Sequence, residues 1–407
     1  MLYYVCAETK GGERWLIIMG SSPEYTYYLM NENKPTEISD LGEFGLIDRL
    51  TRDFPLKNES SKLGVGDDAA ILEYPEKDVL VTTDLLLEGI HFDVRYVPLK
   101  HLGYKAAIVN FSDIYAMNGT PRQITVSLGV SSRFTLEHIE AIYSGIRLAC
   151  EIYGVDLVGG DTSASVTGLV ISVTCIGDVE KGKAVRRSGA KPTDLICVSG
   201  DLGAAYMGLQ LLERENRVGA AAGPDFQPNF AGKEYILERQ LKPEARRDIV
   251  ALLRDKGVTP TSMMDVSDGL SSELLHICKS SDVGCRVYED KIPIDYQTAL
   301  MAEELNMNLV MAAMNGGEDY ELLFTVPLAD LKKVETMNGV HIIGYVTKPD
   351  LGAALVTRDG GELPIRAQGW NAFAGSNAQQ AEVSPKENGS EAEDQKEKSS
   401  EDSETKE

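Results

Sequence analysis

Basic charge is what this sequence lacks most. Against 63 Asp and Glu it sets only 40 Lys and Arg, a formal net charge of −23 over 407 residues. A partner such as nucleic acid or an anionic membrane requires a basic surface, so neither is expected. A phosphorylated ligand stays open, because bound cations reverse the local field. No apolar run reaches the ~18 residues of a membrane span, and Trp15 to Met19 is too short for a signal-peptide core. The six cysteines (Cys6, Cys150, Cys175, Cys197, Cys278 and Cys285) include no C-x-x-C pair. Several fall in apolar patterns, so buried thiols in a reducing cytoplasm are expected rather than disulfides or metal ligands. A Walker A segment, G-x-x-x-x-G-K-[ST], is also missing, so any use of ATP follows another design.

What is present fits a soluble globular chain long enough for two domains: 43% hydrophobic and 25% charged residues. The ends differ from the middle. From about residue 375 onward, large apolar side chains nearly vanish, and Glu382 to Glu407 holds ten acidic and four basic residues. Such a tail cannot offset its chain entropy by burial and is expected to be disordered. Residues 1–37 show no clear period; they are expected as a poorly ordered extension, or the true start is Met30 and only the stretch before it is spurious. Between the ends, strand-like and helix-like segments alternate. Val79 to Thr83 reads as a strand ending in Asp84, and Leu102 to Met117 as a helix. Thr135 to Tyr153 reads as a helix stopped by Gly154. Val155 to Val158 reads as a strand running into Gly159-Gly160-Asp161, and Leu169 to Ile176 as another. A second cycle begins at Asp194 to Val198. It continues with helices at Ala245 to Lys256 and Leu270 to Ser280, and a strand at Tyr320 to Val326. The pattern predicts α/β and α+β architecture with a boundary near residues 180–190. The organisation expected is 1–37, 38–185, 186–374 and 375–407.

The chemistry-bearing residues are scattered aspartates at the ends of apolar runs. Asp113 shares a helix face with Leu102, Ala106 and Val109, four, three and four residues apart. A carboxylate on an apolar face needs a basic partner or a metal, and both readings stand. Asp84 is either a turn residue or a ligand at a strand's carboxyl end. Asp161 follows two glycines that permit close backbone approach, or it closes an ordinary turn. Asp268 can cap the helix after Gly269; Asp265, three residues earlier, has no capping role to account for it. Gly64-Val65-Gly66-Asp67-Asp68-Ala69 has the outline of a dinucleotide fingerprint, but its two carboxylates would repel a pyrophosphate unless cations intervene. Asp, Thr and Ser oxygens without His or Cys clusters favour Mg²⁺ or Mn²⁺ over zinc. Carboxylate-held Mg²⁺ can bridge ATP phosphates in phosphoryl transfer. Arg186-Arg187-Ser188-Gly189-Ala190-Lys191 is a basic loop suited to phosphate, or a solvated charge run. His91 is structural or a ligand contact. The acids of Gly316-Gly317-Glu318-Asp319-Tyr320 are exposed turn residues or functional. Trp370 packs, or stacks on a heteroaromatic ligand.

In this order and spacing the motifs resemble the thiamine-monophosphate kinase family, of the aminoimidazole ribonucleotide synthetase-like superfamily. The resemblance runs from about Gly42 to Phe373. Its motifs are Gly42-Glu43-Phe44, Gly64-Val65-Gly66-Asp67-Asp68-Ala69, Thr82-Thr83-Asp84 with His91, and Asn110-Phe111-Ser112-Asp113. Gly159-Gly160-Asp161-Thr162, Arg187-Ser188-Gly189-Ala190-Lys191-Pro192, Ser267-Asp268-Gly269-Leu270 and Gly317-Glu318-Asp319-Tyr320-Glu321-Leu322 follow. The resemblance implies a two-domain fold: an N-terminal sheet domain that binds ATP and Mg²⁺ and dimerises, then a C-terminal α+β domain. It implies several Mg²⁺ ions, with ligands at Asp68, Thr82, Thr83, Asp84, Asp113, Asp161, Asp265 and Asp268. ATP contacts are implied at Gly160, Asp161, Arg187 and Ser267, and contacts to thiamine monophosphate at His91, Glu318 and Trp370. The implied reaction is direct transfer of the ATP γ-phosphoryl group to the substrate phosphate in a cytoplasmic homodimer. An already ionised nucleophile needs no side chain as acid or base. Thr193-Asp194 stands where the family has Gly-Asp, and Asn216 to Gly232 is longer than usual and expected as a loop. A selenophosphate synthetase would carry a reactive Cys in an early glycine-rich segment, and a hydrogenase maturation factor would end in cysteine; neither feature occurs. An inactive ATP-binding scaffold would have lost metal ligands, and none is missing.

Overall fold

The computed structural model describes residues 49–63, 65, 71–223 and 226–367, and the backbone of 3–8, 14–19 and 26–29. Asp68, Trp370 and the acidic tail lie outside the described residues, as does the side chain of Cys6. β1 (Tyr3–Glu8), β2 (Arg14–Met19) and β3 (Thr26–Leu29) pair antiparallel in that order, and β4 (Ser61–Leu63) pairs with β5 (Ile71–Leu72).

Alternation of period two builds the first large sheet. In β6 (Lys77–Leu87), Leu80 and Leu86 are buried while Val79, Val81 and Leu85 are exposed, so successive side chains serve opposite faces. β6 pairs with β9 (Val170–Glu180), β9 with β7 (Thr120–Val130), and β7 runs parallel to β8 (Asp156–Ala164). β6 and β8 are therefore the two edges. α1 (Leu99–Ala116) lies against the inner face, touching β6, β7 and β9, and α2 (Leu136–Tyr153) packs on α1. α2 starts at the expected Thr135, whose side chain and that of His138 form a capping box. It stops at Gly154, whose φ of 72° suits glycine. Its Ile139, Ile142 and Ile146 are fully buried, each contributing about 1.5–3 kcal/mol.

The second large sheet comprises β10 (Leu195–Ser199), β11 (Ser262–Asp265), β12 (Gly284–Tyr288), β13 (Leu322–Val326), β14 (Val340–Thr347), β15 (Ala353–Val356) and β16 (Glu362–Pro364). Its order is β11-β13-β10-β14-β12-β15-β16. β10, β11 and β13 are buried along their whole lengths, as expected for strands covered on both faces. The helices of this half are α3 (Ala204–Ala222), α4 (Glu234–Leu241), α5 (Arg247–Asp255), α6 (Leu270–Ser281), α7 (Tyr296–Glu304), α8 (Leu309–Asn315) and α9 (Leu331–Val334). One hydrophobic cluster joins the halves: it contains Ile108, Phe111 and Ile124 as well as Cys197, Ile249 and Phe324. α1 is its centre and is buried on nearly every side, not on one face alone.

Three sequence expectations change. β6 continues to Leu87, so Asp84 sits within the strand and not at its end. β8 continues through Gly159-Gly160-Asp161, so these residues form no turn. Residues 216–222 are the last turns of α3 and not a loop. The first two share a cause: the antiparallel register with β9 holds the whole of β6, and the parallel register with β7 carries β8 onward. The exposed half of α3 lacks an apolar stripe, which hides it from a pattern search. Five cysteines are buried free thiols, as expected. Thr193 has φ of 79°, a left-handed conformation that glycine adopts without strain. The loop keeps its shape because Asp194 accepts the Lys191 N–H at 2.9 Å and the Thr261 hydroxyl at 2.7 Å.

Candidate active site

Adjacent residues of α1 reach in opposite directions. Asp113 accepts a hydrogen bond from Thr82 on β6, and Ser112 donates to Asp265 Oδ2 on β11 at 2.6 Å. Thr82 and Asp84 share the inner face of β6, so Thr82, Asp84, Asp113 and Asp265 converge where the two sheets meet across α1. A cavity of about 420 Å³ opens beside them, lined among others by Thr82, Asp113, Asp265, Arg187, Ser188 and Ser280.

The electrostatics of this cluster are unmet negative charge. Burial, and then repulsion from Asp113, raises Asp84 to about 6. Its Oδ2 is buried without a hydrogen bond among the described residues. Burial raises Asp265 to about 8, with Asp113, Glu273 and Asp84 adding repulsion against the Ser112 hydrogen bond. Burial also raises Asp113, opposed by Thr82 and by the charge of Arg187. Asp268 is raised by burial, opposed by His276 and Arg187. A carboxylate held above its ordinary range by burial, and for Asp84 and Asp265 by neighbouring carboxylates as well, is one that a cation would relieve. Hard oxygen donors and an unpartnered buried carboxylate oxygen suit Mg²⁺. Among the described residues no three Asp, Glu, His or Cys side chains form a ready-made cage.

Not every expected ligand joins the cluster. Thr83 faces the outer side of the sheet, where it donates to the Val173 carbonyl at 3.2 Å and accepts from Thr174 at 3.0 Å. Asp161 is exposed on β8 at the far edge. The register runs Asp84 to Val173, Val173 to Val126 and Val126 to Gly160, level across the sheet. Three strand spacings, about 14 Å, therefore separate Asp84 from Gly160. Asp161, one residue on, pairs with Ser127 and takes the face opposite to Asp84. Gly160 is required by close approach: a Cβ there would lie 2.1 Å from the Val126 carbonyl oxygen.

The loop after β11 meets the loop before β13. The Glu318 N–H donates to the Ser267 carbonyl at 2.7 Å, and the Tyr320 N–H to that of Val266 at 2.9 Å. Asp268 makes no side-chain cap for α6, whose N-cap is Gly269. Glu273, in the first turn of α6, accepts the N–H groups of Ser267 and Asp268 at 3.2 and 2.8 Å. Burial raises Glu273 to about 7, and its Oε2 is buried without a hydrogen bond among the described residues. The basic loop is anchored from the end of α6: Ser281 accepts from the N–H groups of Gly189 and Ala190 at 3.1 and 3.2 Å. Arg187 thereby stands over Asp113 and Asp268. Glu318 accepts from Lys105 at 2.6 Å and Gln240 at 2.9 Å. His91, at the end of β6, accepts the Leu87 N–H on Nδ1 at 3.0 Å, which puts its neutral-state proton on Nε2. Its charged form is disfavoured by burial and favoured by nearby Glu318.

Sequence reasoning missed Ser112, Lys105, Gln240, Glu273 and Ser281. Ser112 lay within a motif already singled out. Lys105 carried a visible signal, a cation in an apolar helix. Gln240 and Ser281 carried none, because only tertiary packing brings them to the site.

Two sheets joined through a buried helix, with acids on the inner wall and a basic loop opposite, are built here by a chain that matches the AIR synthase related proteins. The family model of their N-terminal domain matches residues 66–179, and that of their C-terminal domain residues 194–356. Thiamine-monophosphate kinase of Bacillus subtilis is 34% identical over 341 residues, 82% of this chain and 100% of that protein. The Aquifex aeolicus enzyme is 35% identical over 321 residues, 77% of this chain and 97% of the relative. The solved structure of AaThiL complexed with AMPPCP and TMP superposes with a TM-score of 0.62 at 33% identity, over 84% of this chain and 100% of that one. The Stenotrophomonas maltophilia thiamine-monophosphate kinase gives 0.66 at 32% identity, over 79% and 98%. Hydrogenase maturation protein HypE, at 19% identity and a TM-score of 0.61, shares the fold. The chain belongs to the thiamine-monophosphate kinase family.

Proposed function

We propose that this protein transfers the γ-phosphoryl group of ATP to thiamine monophosphate, giving thiamine diphosphate. The observation that carries the reading is the buried acid cluster of Asp84, Asp113 and Asp265, facing Arg187 across a cavity in a chain of this family. When bound, Mg²⁺ would supply charge neutralisation for the transferring phosphoryl group. Asp84, Asp113, Asp265 and Asp268 would hold several such ions from the described part of the chain, with Asp68 from outside it. Thr82 and Ser112 aim Asp113 and Asp265. Arg187 neutralises phosphate oxygens from the opposite wall, and Ser267 contacts ATP from the loop after β11. His91, Glu318 and Trp370 bind the acceptor. The acceptor's own phosphate oxygen is the nucleophile and is already ionised, so positioning and charge neutralisation carry the rate.

The working form is a cytoplasmic homodimer with domains at 38–185 and 186–374. The exposed Val79, Val81 and Leu85 on the outer face of edge strand β6 support the dimer. Buried free thiols support a reducing compartment. No helix among the described residues is long and apolar enough to cross a membrane.

The test is incubation of purified protein with ATP, excess Mg²⁺ and thiamine monophosphate, with chromatographic detection of thiamine diphosphate. Absence of product defeats the assignment. Deleting residues 376–407 leaves the rate nearly intact on this reading.

A further inference from the structure

Lys105 is a buried lysine, 7% exposed, on the central helix α1. Its ammonium donates to the Gln240 carbonyl at 3.1 Å and to Glu318 Oε2 at 2.6 Å. Gln240, 5% exposed, donates its side-chain N–H to that same oxygen at 2.9 Å. Both hydrogen bonds fall on one carboxylate oxygen, and the Glu318 side chain remains about a third exposed. Glu318 also has a left-handed backbone, φ 59°, with no glycine to excuse it. Such a conformation is strained and persists where surroundings over-determine it. A strained acid held by a buried cation is built to aim.

We infer that Lys105 is a positioning residue for the acceptor site: with Gln240 it clamps one oxygen of Glu318 and turns the other towards the acceptor. The inference rests on the reading of Glu318 as an acceptor contact. Lys105 also lies eight residues before Asp113 on the same helix, a rise of about 12 Å. α1 thus fixes the separation between the acid that reads the acceptor and the acids that hold phosphate. A carboxylate oxygen aimed at the acceptor favours one with a cationic or hydrogen-bond-donating head group.

The test measures steady-state kinetics of wild type, K105M, K105R and E318Q, varying thiamine monophosphate and ATP separately. K105M raises the acceptor KM about 10-fold or more and leaves the ATP KM within about 2-fold. K105R, which keeps the charge, recovers most of that loss. In an E318Q background K105M changes the acceptor KM by less than about 2-fold, because the group it positions is gone. Should K105M not fold, Q240M gives the same reading, since it removes the other donor to that oxygen. Equal rises in both KM values, additive effects in the double variant, or unchanged kinetics overturn the inference while leaving the kinase activity standing. No wild-type turnover removes the acceptor reading and this inference together.

Discussion

Ser112 donates its hydroxyl hydrogen to Asp265 across 2.6 Å, which ties the helix of the first half to a strand of the second. Its neighbour Asp113 is tied to Thr82 on the other side. A shift of either sheet against α1 therefore moves carboxylates in the site. The acids pay for this convergence in mutual repulsion, and that repulsion makes the site's charge state measurable.

The first prediction concerns pH. Asp265 stands at about 8 and Asp84 at about 6 in the folded chain, against about 3.9 for an unfolded aspartate. Between those values the folded state binds more protons than the unfolded, so stability falls as pH rises. The contribution is fully present below about 4 and is lost by about 8. Without divalent cations, the melting temperature is expected to be lower near pH 8.5 than near about pH 6, and excess Mg²⁺ should narrow the gap. Scanning fluorimetry with EDTA or Mg²⁺ reads this directly. A Mg²⁺ effect equal at both pH values argues against the cluster as the cation site.

Asp84→Asn separates function from stability. Asparagine keeps the shape and removes a buried, repelled charge. Activity should fall about 100-fold or more, while the cation-free melting temperature near neutral pH should stay level or rise by a few degrees, roughly 1–3 °C. The Mg²⁺-dependent gain should shrink. Asp113→Asn should abolish activity as well, but without the same stability gain, because Asp113 already has Thr82 and Arg187 to favour its charge.

The two glycines of β8 are not equivalent. A methyl group at Gly160 meets the Val126 carbonyl at 2.1 Å, whereas one at Gly159 meets nothing closer than the Thr125 methyl at 3.6 Å. Gly160→Ala should cost about 2 kcal/mol or more and most of the activity. Gly159→Ala should lie within about 1 kcal/mol of wild type. Denaturant titration of both variants checks the contrast, and equal effects would show that β8 has slack to move.

Thr193→Gly removes a left-handed β-branched residue, φ 79°, from an exposed loop. Relief of backbone strain should outweigh the added unfolded-state entropy by about 0.5–1 kcal/mol. A higher denaturation midpoint with an unchanged slope is the expected result. A lower midpoint means that the Asp194 contacts already accommodate the threonine without strain.

Much of the site was legible in the sequence because its acids stand in short motifs beside glycine, serine and threonine. Asp113 announced itself by helix spacing, and Asp265 by having no capping role. The strand ends were less legible. Asp84 and Asp161 read as residues at or just beyond strand ends, yet pairing to β9 and β7 carries both segments onward. Periodicity also could not show that α1 is buried all round, since a helix with no polar face has no stripe to find. Lys105 and Glu318 lie 213 residues apart. Nothing local in either stretch points to the other, and only the packing of two domains on one helix brings them together.

The arrangement of Asp84 and Asp161 makes the last prediction. They lie on opposite faces of one sheet, at its two edges, with about 14 Å of intervening strands. No side chain of one copy spans that gap around the sheet, so if both residues serve one reaction centre, a second copy must supply one of them. Asp84→Asn and Asp161→Asn should each be inactive alone. Mixed and allowed to exchange subunits in equal amounts, half of the dimers are hybrids, and each hybrid rebuilds one intact site of two. Activity should recover to about one quarter of wild type. The charged substitution Val81→Glu, on the exposed face of β6, should drive the protein towards monomer by analytical ultracentrifugation and lower activity with it. Mixtures that stay dead while subunits demonstrably exchange would place the whole reaction within a single chain, and leave Asp161 outside it.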